Sequence, residues 1–125
     1  MRRDIYQEYT TWVPADAADL IWYSRPVPDD MILQLSLLAI YSPTMTANSN
    51  IAYGIDNHGQ FLPMGFIYFA TAYKISYHYP HAALILLYEH QRLQLNFLTV
   101  NSGKVHHLAL HGILYDAAEW RKGKD

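Results

Sequence analysis

The chain contains no cysteine. This excludes disulfide bonds, thiolate zinc sites and a cysteine nucleophile, and it favours a reducing, cytoplasmic setting. Charged residues are also few, at 16% of the 125 residues, whereas apolar residues make up 51%. That composition differs from the low hydrophobicity and high charge of disordered chains. We therefore expect a single globular domain over residues 1–125 with one core.

Long hydrophobic runs are missing too. The longest apolar segment, Met31 to Tyr41, has eleven residues and includes Gln34 and Ser36, whereas a membrane-spanning helix needs about 20. The opening residues Met1 to Ile5 contain two arginines, but no apolar run follows them, so they do not match a signal peptide. The expectation is a protein that does not enter a membrane.

Motifs for nucleotide and nucleic-acid binding are also lacking. The six glycines are scattered and form no phosphate-binding loop, and no serine lies in a G-x-S-x-G motif. Between Arg25 and Arg121 the basic residues are only Lys74, Arg92 and Lys104, so no basic patch with interleaved aromatics is present. The sequence predicts no cofactor and no nucleic-acid partner.

What the sequence does have is strand-like alternation. In Met31 to Tyr41 a strand places Gln34 and Ser36 on one face, whereas a helix would separate them. The tetrapeptide Asp56-Asn57-His58-Gly59 is typical of a hairpin turn between two strands. Residues 66–77 alternate over a length that suggests one strand with a bend.

The last third carries three further strand-like runs, Ala83 to Tyr88, Leu93 to Val100 and Val105 to Leu110, which predict a meander. Short helices are expected over Pro14 to Ser24 and over Ile113 to Lys122. The predicted fold class is therefore α+β. It consists of a mainly antiparallel sheet of about five to seven strands, with the meander in the C-terminal half and short helices near both termini.

Seven histidines raise the question of a metal site. On one strand His107 and His111 would be about 13 Å apart, which is too far to share an ion. A turn around Pro80 could bring His78 and His81 together, but their spacing specifies no metal site. Hydrogen-bonded surface histidines are the favoured interpretation, and no metal ligand is predicted.

Acid-base catalysis finds little support. Asp56 and His58 could act as a base and its orienting group in the predicted turn. The same residue types are what a tight turn requires for backbone reasons, and that interpretation is favoured. No catalytic residue is predicted, and the chain is expected to be non-enzymatic.

The first half of the chain is acidic and rich in aromatic residues. From Asp4 to Tyr73 there are seven acids and one base, Arg25. Acidic surfaces steer basic partners, and tyrosine and tryptophan provide interface anchors. The leading hypothesis is a non-enzymatic binding protein of the inhibitor or immunity-protein kind, which covers a basic partner such as a nuclease toxin. The predicted partner-binding residues are Asp16, Asp19, Asp29, Asp30, Asp56, Trp22, Tyr23 and Tyr53.

Three alternatives stay open. The acids could form an ordinary solvated face. The chain could instead be a small-molecule-binding or enzymatic domain with a cavity between sheet and helices, using His78, His81 or His107. The high apolar fraction would also suit a subunit of a homo-oligomer.

Overall fold

A computed structural model describes residues 3–15, 20–42, 49–69, 74–78, 85–97 and 103–122. In this part of the chain there are nine strands and one short helix. Their bounds are β1 (Arg3–Trp12), β2 (Ile21–Tyr23), β3 (Met31–Tyr41), β4 (Ser49–Asn57), β5 (Gln60–Phe69), β6 (Lys74–His78), β7 (Ile85–Leu87), β8 (Arg92–Phe97), β9 (His106–Asp116) and α1 (Ala117–Lys122). The broad prediction of a mainly antiparallel sheet protein is confirmed, with more strands than expected.

The strands form two sheets with antiparallel pairing. The five-stranded sheet has the order β1-β9-β3, and both β6 and β7 pair with the far side of β3. The four-stranded sheet has the order β2-β8-β4-β5. One core cluster joins them, with fully buried Leu35 and Leu38 from the first sheet and Ile51 and Leu95 from the second. The two sheets are therefore the layers of a sandwich.

Strand β3 has the predicted bounds, but its alternation changes midway. Leu33 and Leu35 are buried, and a register shift against β9 then lies between Leu35 and Leu37. Beyond it Leu38 is buried and Leu37 is half-buried. A bulge inserts one extra residue and so reverses which positions point inward. For this reason the regular alternation that the sequence predicts for β3 ends after Leu35.

The predicted hairpin is confirmed. Asn57 and Gln60 pair, and His58 and Gly59 form the two-residue loop with φ of 54° and 96°. Two positive φ values are typical of a type I′ turn, whose twist matches that of the flanking strands. The Asp56 carboxylate accepts a hydrogen bond from the Gly59 amide at 2.9 Å and closes the loop.

The prediction of a helix over Pro14 to Ser24 was wrong for the residues of that range that the structure describes. Residues Ile21–Tyr23 form β2 and pair with β8. The Phe97 amide donates to the Leu20 carbonyl at 2.8 Å, which extends that pairing. Trp22 is buried between two exposed neighbours, a period of two that suits a strand packed on a core. Asp16 and Asp19, within the range of the predicted helix, lie outside the described residues.

The predicted C-terminal meander was also wrong, although its three strands exist. Strand β7 pairs with β3, β8 pairs with β2 and β4, and β9 pairs with β1 and β3. These three successive strands thus alternate between the two sheets. The segment over residues 66–77, predicted as one strand with a bend, contributes to two strands, β5 and β6, which belong to different sheets.

The C-terminal helix is shorter than predicted. Strand β9 continues to Asp116, pairing with β1 and β3, and α1 starts at Ala117. The Asp116 carboxylate accepts from the Glu119 amide at 3.0 Å, as an N-terminal capping residue does. No helix in the described part of the chain is long and apolar enough to cross a membrane.

Candidate protein-binding surface

Two connecting segments meet at one end of the sandwich. Residues 24–30 connect β2 to β3, and residues 88–91 connect β7 to β8. The Val27 amide donates to the Gln91 carbonyl at 3.0 Å, and the His90 amide donates to the Val27 carbonyl at 2.9 Å. Asp30 and His90 both have left-handed backbones, with φ of 60° and 67°. Backbone hydrogen bonds therefore hold together segments that are about sixty residues apart in sequence.

This junction gathers acidic side chains. Asp29, Asp30 and Glu89 are all exposed. The Asp30 amide donates to the Glu89 carboxylate at 2.5 Å, and the His90 imidazole hydrogen-bonds to the Asp29 carboxylate. The side chain of Asp29 keeps 81% of its surface exposed, so its charge is available to a partner.

The start of α1 adds two more acids beside this junction. The Ala117 amide donates to the Asp30 carbonyl at 2.8 Å, and Met31 pairs with Asp116. Glu119 lies in the first turn of α1 and is exposed. We call the resulting group the acidic end: Asp29, Asp30, Glu89, Asp116 and Glu119. Two bases, Arg121 and Lys122, lie in the last turn of the same helix, so the local balance stays negative.

Aromatic side chains accompany these acids. Tyr88, directly before Glu89, is 50% exposed. Tyr115 and Trp120 pack against each other with ring centroids 4.9 Å apart, and both are half-buried. Tyrosine and tryptophan combine a large contact area with a polar group, as interface anchors do. The acidic end therefore combines negative charge with aromatic surface.

The charges of the acidic end act on His90. Its hydrogen bond to the Asp29 carboxylate raises the pKa of His90 above the ordinary value of 6.5, and the negative charges of Asp29, Glu89 and Asp30 act in the same direction. In the described part of the chain, Asp29, Glu89 and His90 are also the group whose ligand atoms, within 4.8 Å of one another, could surround a metal ion. All three are exposed, and each already takes part in a hydrogen bond.

Of the predicted partner-binding residues, Asp29 and Asp30 lie together in the acidic end. Asp56 is buried, and both its 2.6 Å and 2.9 Å contacts from the Arg92 guanidinium reach the same oxygen. Tyr23 is 38% exposed and stacks on Arg92, whose guanidinium carbon lies 3.8 Å from the ring centroid. Arg92 therefore links Asp56 and Tyr23 on the outer side of the four-stranded sheet.

The other predicted positions are less accessible. Trp22 is 7% exposed and belongs to the core, and Tyr53 is half-buried against it. Asp16 and Asp19 lie outside the described residues. The predicted surface thus corresponds only in part to the acidic end, at Asp29 and Asp30.

The structure separates the histidines. His107 and His111 lie on the outer face of β9, where they contact Thr11 and Tyr9. His106 points inward, is fully buried, and contacts the Ser42 hydroxyl at 2.6 Å. The backbone of His78 pairs with Leu37, and His81 lies outside the described residues.

A cleft of about 510 Å³ runs beside β1, lined by residues 5–7, Arg25, Pro26, Pro28 and Leu114. Burial raises the pKa of Tyr6 above its ordinary value of 10, and the hydrogen bond that its hydroxyl donates to Glu8 adds to that shift. At neutral pH this hydroxyl is therefore a hydrogen-bond donor and not a base. Glu8 also accepts from the Arg25 amide at 3.1 Å, so its carboxylate is used within the fold.

Sequence reasoning missed Tyr88, Glu89 and the two acids at the start of α1. These residues lie in the less acidic half of the chain, and only the strand pairing brings them to Asp29 and Asp30. A signal for Glu89 existed, since Glu89-His90-Gln91-Arg92 stood out as a polar break between two strand-like runs. Comparison with protein-family models, with curated proteins and with solved structures finds no match to the chain.

Proposed function

We propose that the chain is a non-enzymatic, cytoplasmic protein-binding domain whose acidic end covers a basic surface of a partner, as an inhibitor or immunity protein covers a nuclease toxin. The observation that carries the proposal is the convergence of exposed Asp29, Asp30 and Glu89 from two distant segments. Three exposed carboxylates at one end of the sandwich produce a local negative field, which raises the association rate with a cationic partner.

The neighbouring aromatic side chains support the same proposal. Charge steers the encounter, but most of the binding free energy in protein interfaces comes from a few buried anchors. Tyr88, at 50% exposure, is such an anchor beside Glu89. A partner with arginine or lysine side chains around an apolar pocket would satisfy both kinds of group.

The test uses basic proteins encoded next to the gene of this chain as candidate partners. We expect one of them to bind, with affinity that falls as salt rises because Debye screening weakens exposed charge pairs. The double substitution Asp29→Asn and Glu89→Gln keeps hydrogen-bonding oxygens at both positions, and it should weaken binding at least tenfold. Binding would be measured by isothermal titration calorimetry.

The matched control is Val13→Lys. Val13 is 44% exposed just beyond β1, at the opposite end of the sandwich, and this substitution shifts the net charge in the same direction. Affinity should change little, since the new charge lies far from the acidic end. Equal affinities for the wild type and the double variant, at low and at high salt, would refute the role of the acidic end.

The cleft beside β1 favours a second candidate function, the binding of a small molecule. Its 510 Å³ lies within the size range of ligand pockets, and its lining combines Arg25 with apolar side chains. A thermal-shift screen of metabolites tests this candidate, because a ligand at 100 times its dissociation constant adds about 2.7 kcal/mol of stability. A ligand found this way should lose its effect in Arg25→Met.

A further inference from the structure

A histidine and two carboxylates have their ligand atoms close together at the acidic end. The group is Asp29, Glu89 and His90, and one carboxylate oxygen or ring nitrogen from each lies within 4.8 Å of the other two. Donor atoms about 2.1 Å from a shared zinc ion lie up to about 4 Å from one another. Small rotations of these exposed side chains are therefore enough to place all three donors around one ion.

The backbone holds the two segments that carry these donors against each other. Asp29 precedes β3, and Glu89 and His90 lie between β7 and β8. The His90 amide donates to the Val27 carbonyl at 2.9 Å, and the Val27 amide donates to the Gln91 carbonyl at 3.0 Å. These bonds do not involve the three donor side chains, so they position the segments before any ion binds. The ordering cost of binding an ion is correspondingly small.

Hydrogen bonds orient the donor side chains as well. The Asp30 amide donates to Oε2 of Glu89 at 2.5 Å, which fixes this carboxylate and leaves it further lone pairs for an ion. Nε2 of His90 hydrogen-bonds to Oδ1 of Asp29. An ion held between these two atoms would take the place of the proton, and the neutral imidazole would then carry its proton on Nδ1.

The imidazole distinguishes this group from an ordinary cluster of surface acids. Ca²⁺ and Mg²⁺ prefer oxygen ligands, whereas imidazole nitrogen suits zinc and its first-row neighbours. A second imidazole lies beside the group, because the ring centroid of His58, in the β4–β5 turn, is 6.4 Å from that of His90. Gln91 holds this turn in place, since its side-chain amide donates to Oδ1 of Asn57 at 3.1 Å. Three segments thus bring nitrogen and oxygen donors to one place.

The position of the group suits a divalent ion. The side chains of His90 and Asp29 are 51% and 81% exposed, so an ion can reach them from solvent. Two carboxylates balance the charge of a divalent cation. Three protein ligands leave the fourth position of a tetrahedral ion to water or to His58.

We propose that Asp29, Glu89 and His90 form a binding site for Zn²⁺ or a closely similar transition-metal ion. The ion would link the segment before β3 to the turn between β7 and β8. Within the residues that the structure describes, no other histidine belongs to a group of metal-binding side chains this close together. The site goes beyond the protein-binding function, because it needs no partner protein.

The first test is calorimetric titration of Zn²⁺ alone into the full chain after treatment with a chelator. We expect one ion per chain. His90→Asn should weaken binding at least tenfold, since it removes the nitrogen donor of the group, and asparagine tolerates the left-handed backbone at this position, where φ is 67°. Asp29→Asn should also weaken binding, and it serves if His90→Asn fails to fold by circular dichroism.

Two variants are matched controls for histidine content and for charge. His107→Asn removes an exposed histidine from the outer face of β9, and Val13→Lys adds a positive charge at the opposite end of the sandwich. Both should bind Zn²⁺ as the wild type does. A wild type that binds no Zn²⁺ would overturn the proposal. So would equal affinities of the wild type and of folded His90→Asn and Asp29→Asn variants.

A second measurement locates the ion. Paramagnetic Co²⁺ broadens the NMR signals of nearby nuclei, and this effect falls steeply with distance. The imidazole signals of His90 should broaden most and those of His58 next, because the two rings are neighbours. Strongest broadening at His107 or His111, on the outer face of β9, would contradict the proposed site.

The same variant separates the metal site from the protein-binding function. His90→Asn keeps all five acids of the acidic end, so with chelator present it should bind a basic partner as the wild type does. It should nevertheless lose Zn²⁺. A wild type that binds Zn²⁺ at this site but binds no basic protein would retain the metal site and refute the protein-binding function alone.

Discussion

The outer faces of the two sheets differ in how they use polar side chains. On the five-stranded sheet, tyrosine, histidine and threonine pair with one another at the surface, as in Tyr9 with His111. On the four-stranded sheet, the Arg92 guanidinium covers a carboxylate, and Asp56 is only 4% exposed. The first face keeps its polar contacts accessible and uncharged, and the second buries one charge beneath another. The second face therefore depends on a buried ion pair for stability, whereas the polar pairs of the first face remain open to solvent.

The largest expected effect on stability concerns a glycine in the four-stranded sheet. A Cβ at Gly54, on β4 in the four-stranded sheet, would lie 2.1 Å from the backbone oxygen of Leu62. Gly54→Ala should therefore lower the free energy of unfolding by about 3 kcal/mol or more, because the pairing of β4 with β5 must shift. Urea denaturation measures this change.

The control lies in the same hairpin. A Cβ added at Gly59 would have no atom within 4 Å, but the φ of this residue is 96°. Gly59→Ala should cost only the backbone strain, about 1 kcal/mol. If Gly54→Ala and Gly59→Ala lower the free energy of unfolding equally, the close contact with Leu62 would not be what makes Gly54 necessary.

A smaller effect is expected from the ion pair. Arg92→Met removes the cation from Asp56 and leaves a buried carboxylate that keeps its hydrogen bond from the Gly59 amide. The cost should be about 2 to 3 kcal/mol, at or below the lower end of the range for buried pairs, because the Arg92 side chain is 35% exposed. Denaturation at neutral pH measures it.

Tyr9→Phe provides the matching change on the other face. It removes the hydroxyl that bonds to His111, at a residue that is 64% exposed. The free energy of unfolding should change by less than about 0.5 kcal/mol, as is usual for surface positions, and urea denaturation measures it. Similar losses for Arg92→Met and Tyr9→Phe would remove the distinction between the two faces.

Local sequence patterns predicted individual strands and turns well, but they did not predict which strands pair with one another. The bounds of β3 and the place of the β4–β5 turn followed from alternation and from the turn residues Asp56 to Gly59, because both depend on neighbouring residues. The meander failed because alternation shows which side of a strand is apolar and not which sheet the strand joins. Residues Ile21–Tyr23 became a strand through pairing with β8, which no local signal shows.

The same limit applies to the candidate site. Asp29 and Asp30 were predicted from the excess of acids in the first half of the chain, which the sequence alone shows. Glu89 lies beside them only because two turns are hydrogen-bonded together. Asp56 is buried because Arg92 lies opposite it on β8 and covers its carboxylate. Long-range pairing therefore decided which of the acids form one surface and which is buried.

The smallest expected effect concerns titration, and it tests whether negative charge is concentrated at the acidic end. The Asp29 carboxylate raises the pKa of His90, so Asp29→Asn should lower the midpoint of the His90 titration measured by NMR. Glu119→Gln, which removes one charge from the same end without a contact to His90, should lower it less. Because the folded-state pKa is raised, the contribution of this pair to stability is complete below the ordinary histidine pKa and is lost as pH rises through the raised value. If the two substitutions shift the His90 midpoint equally, the hydrogen bond from Asp29 would not be the cause of the raised pKa of His90. The combined negative charge of the acidic end would then be its cause.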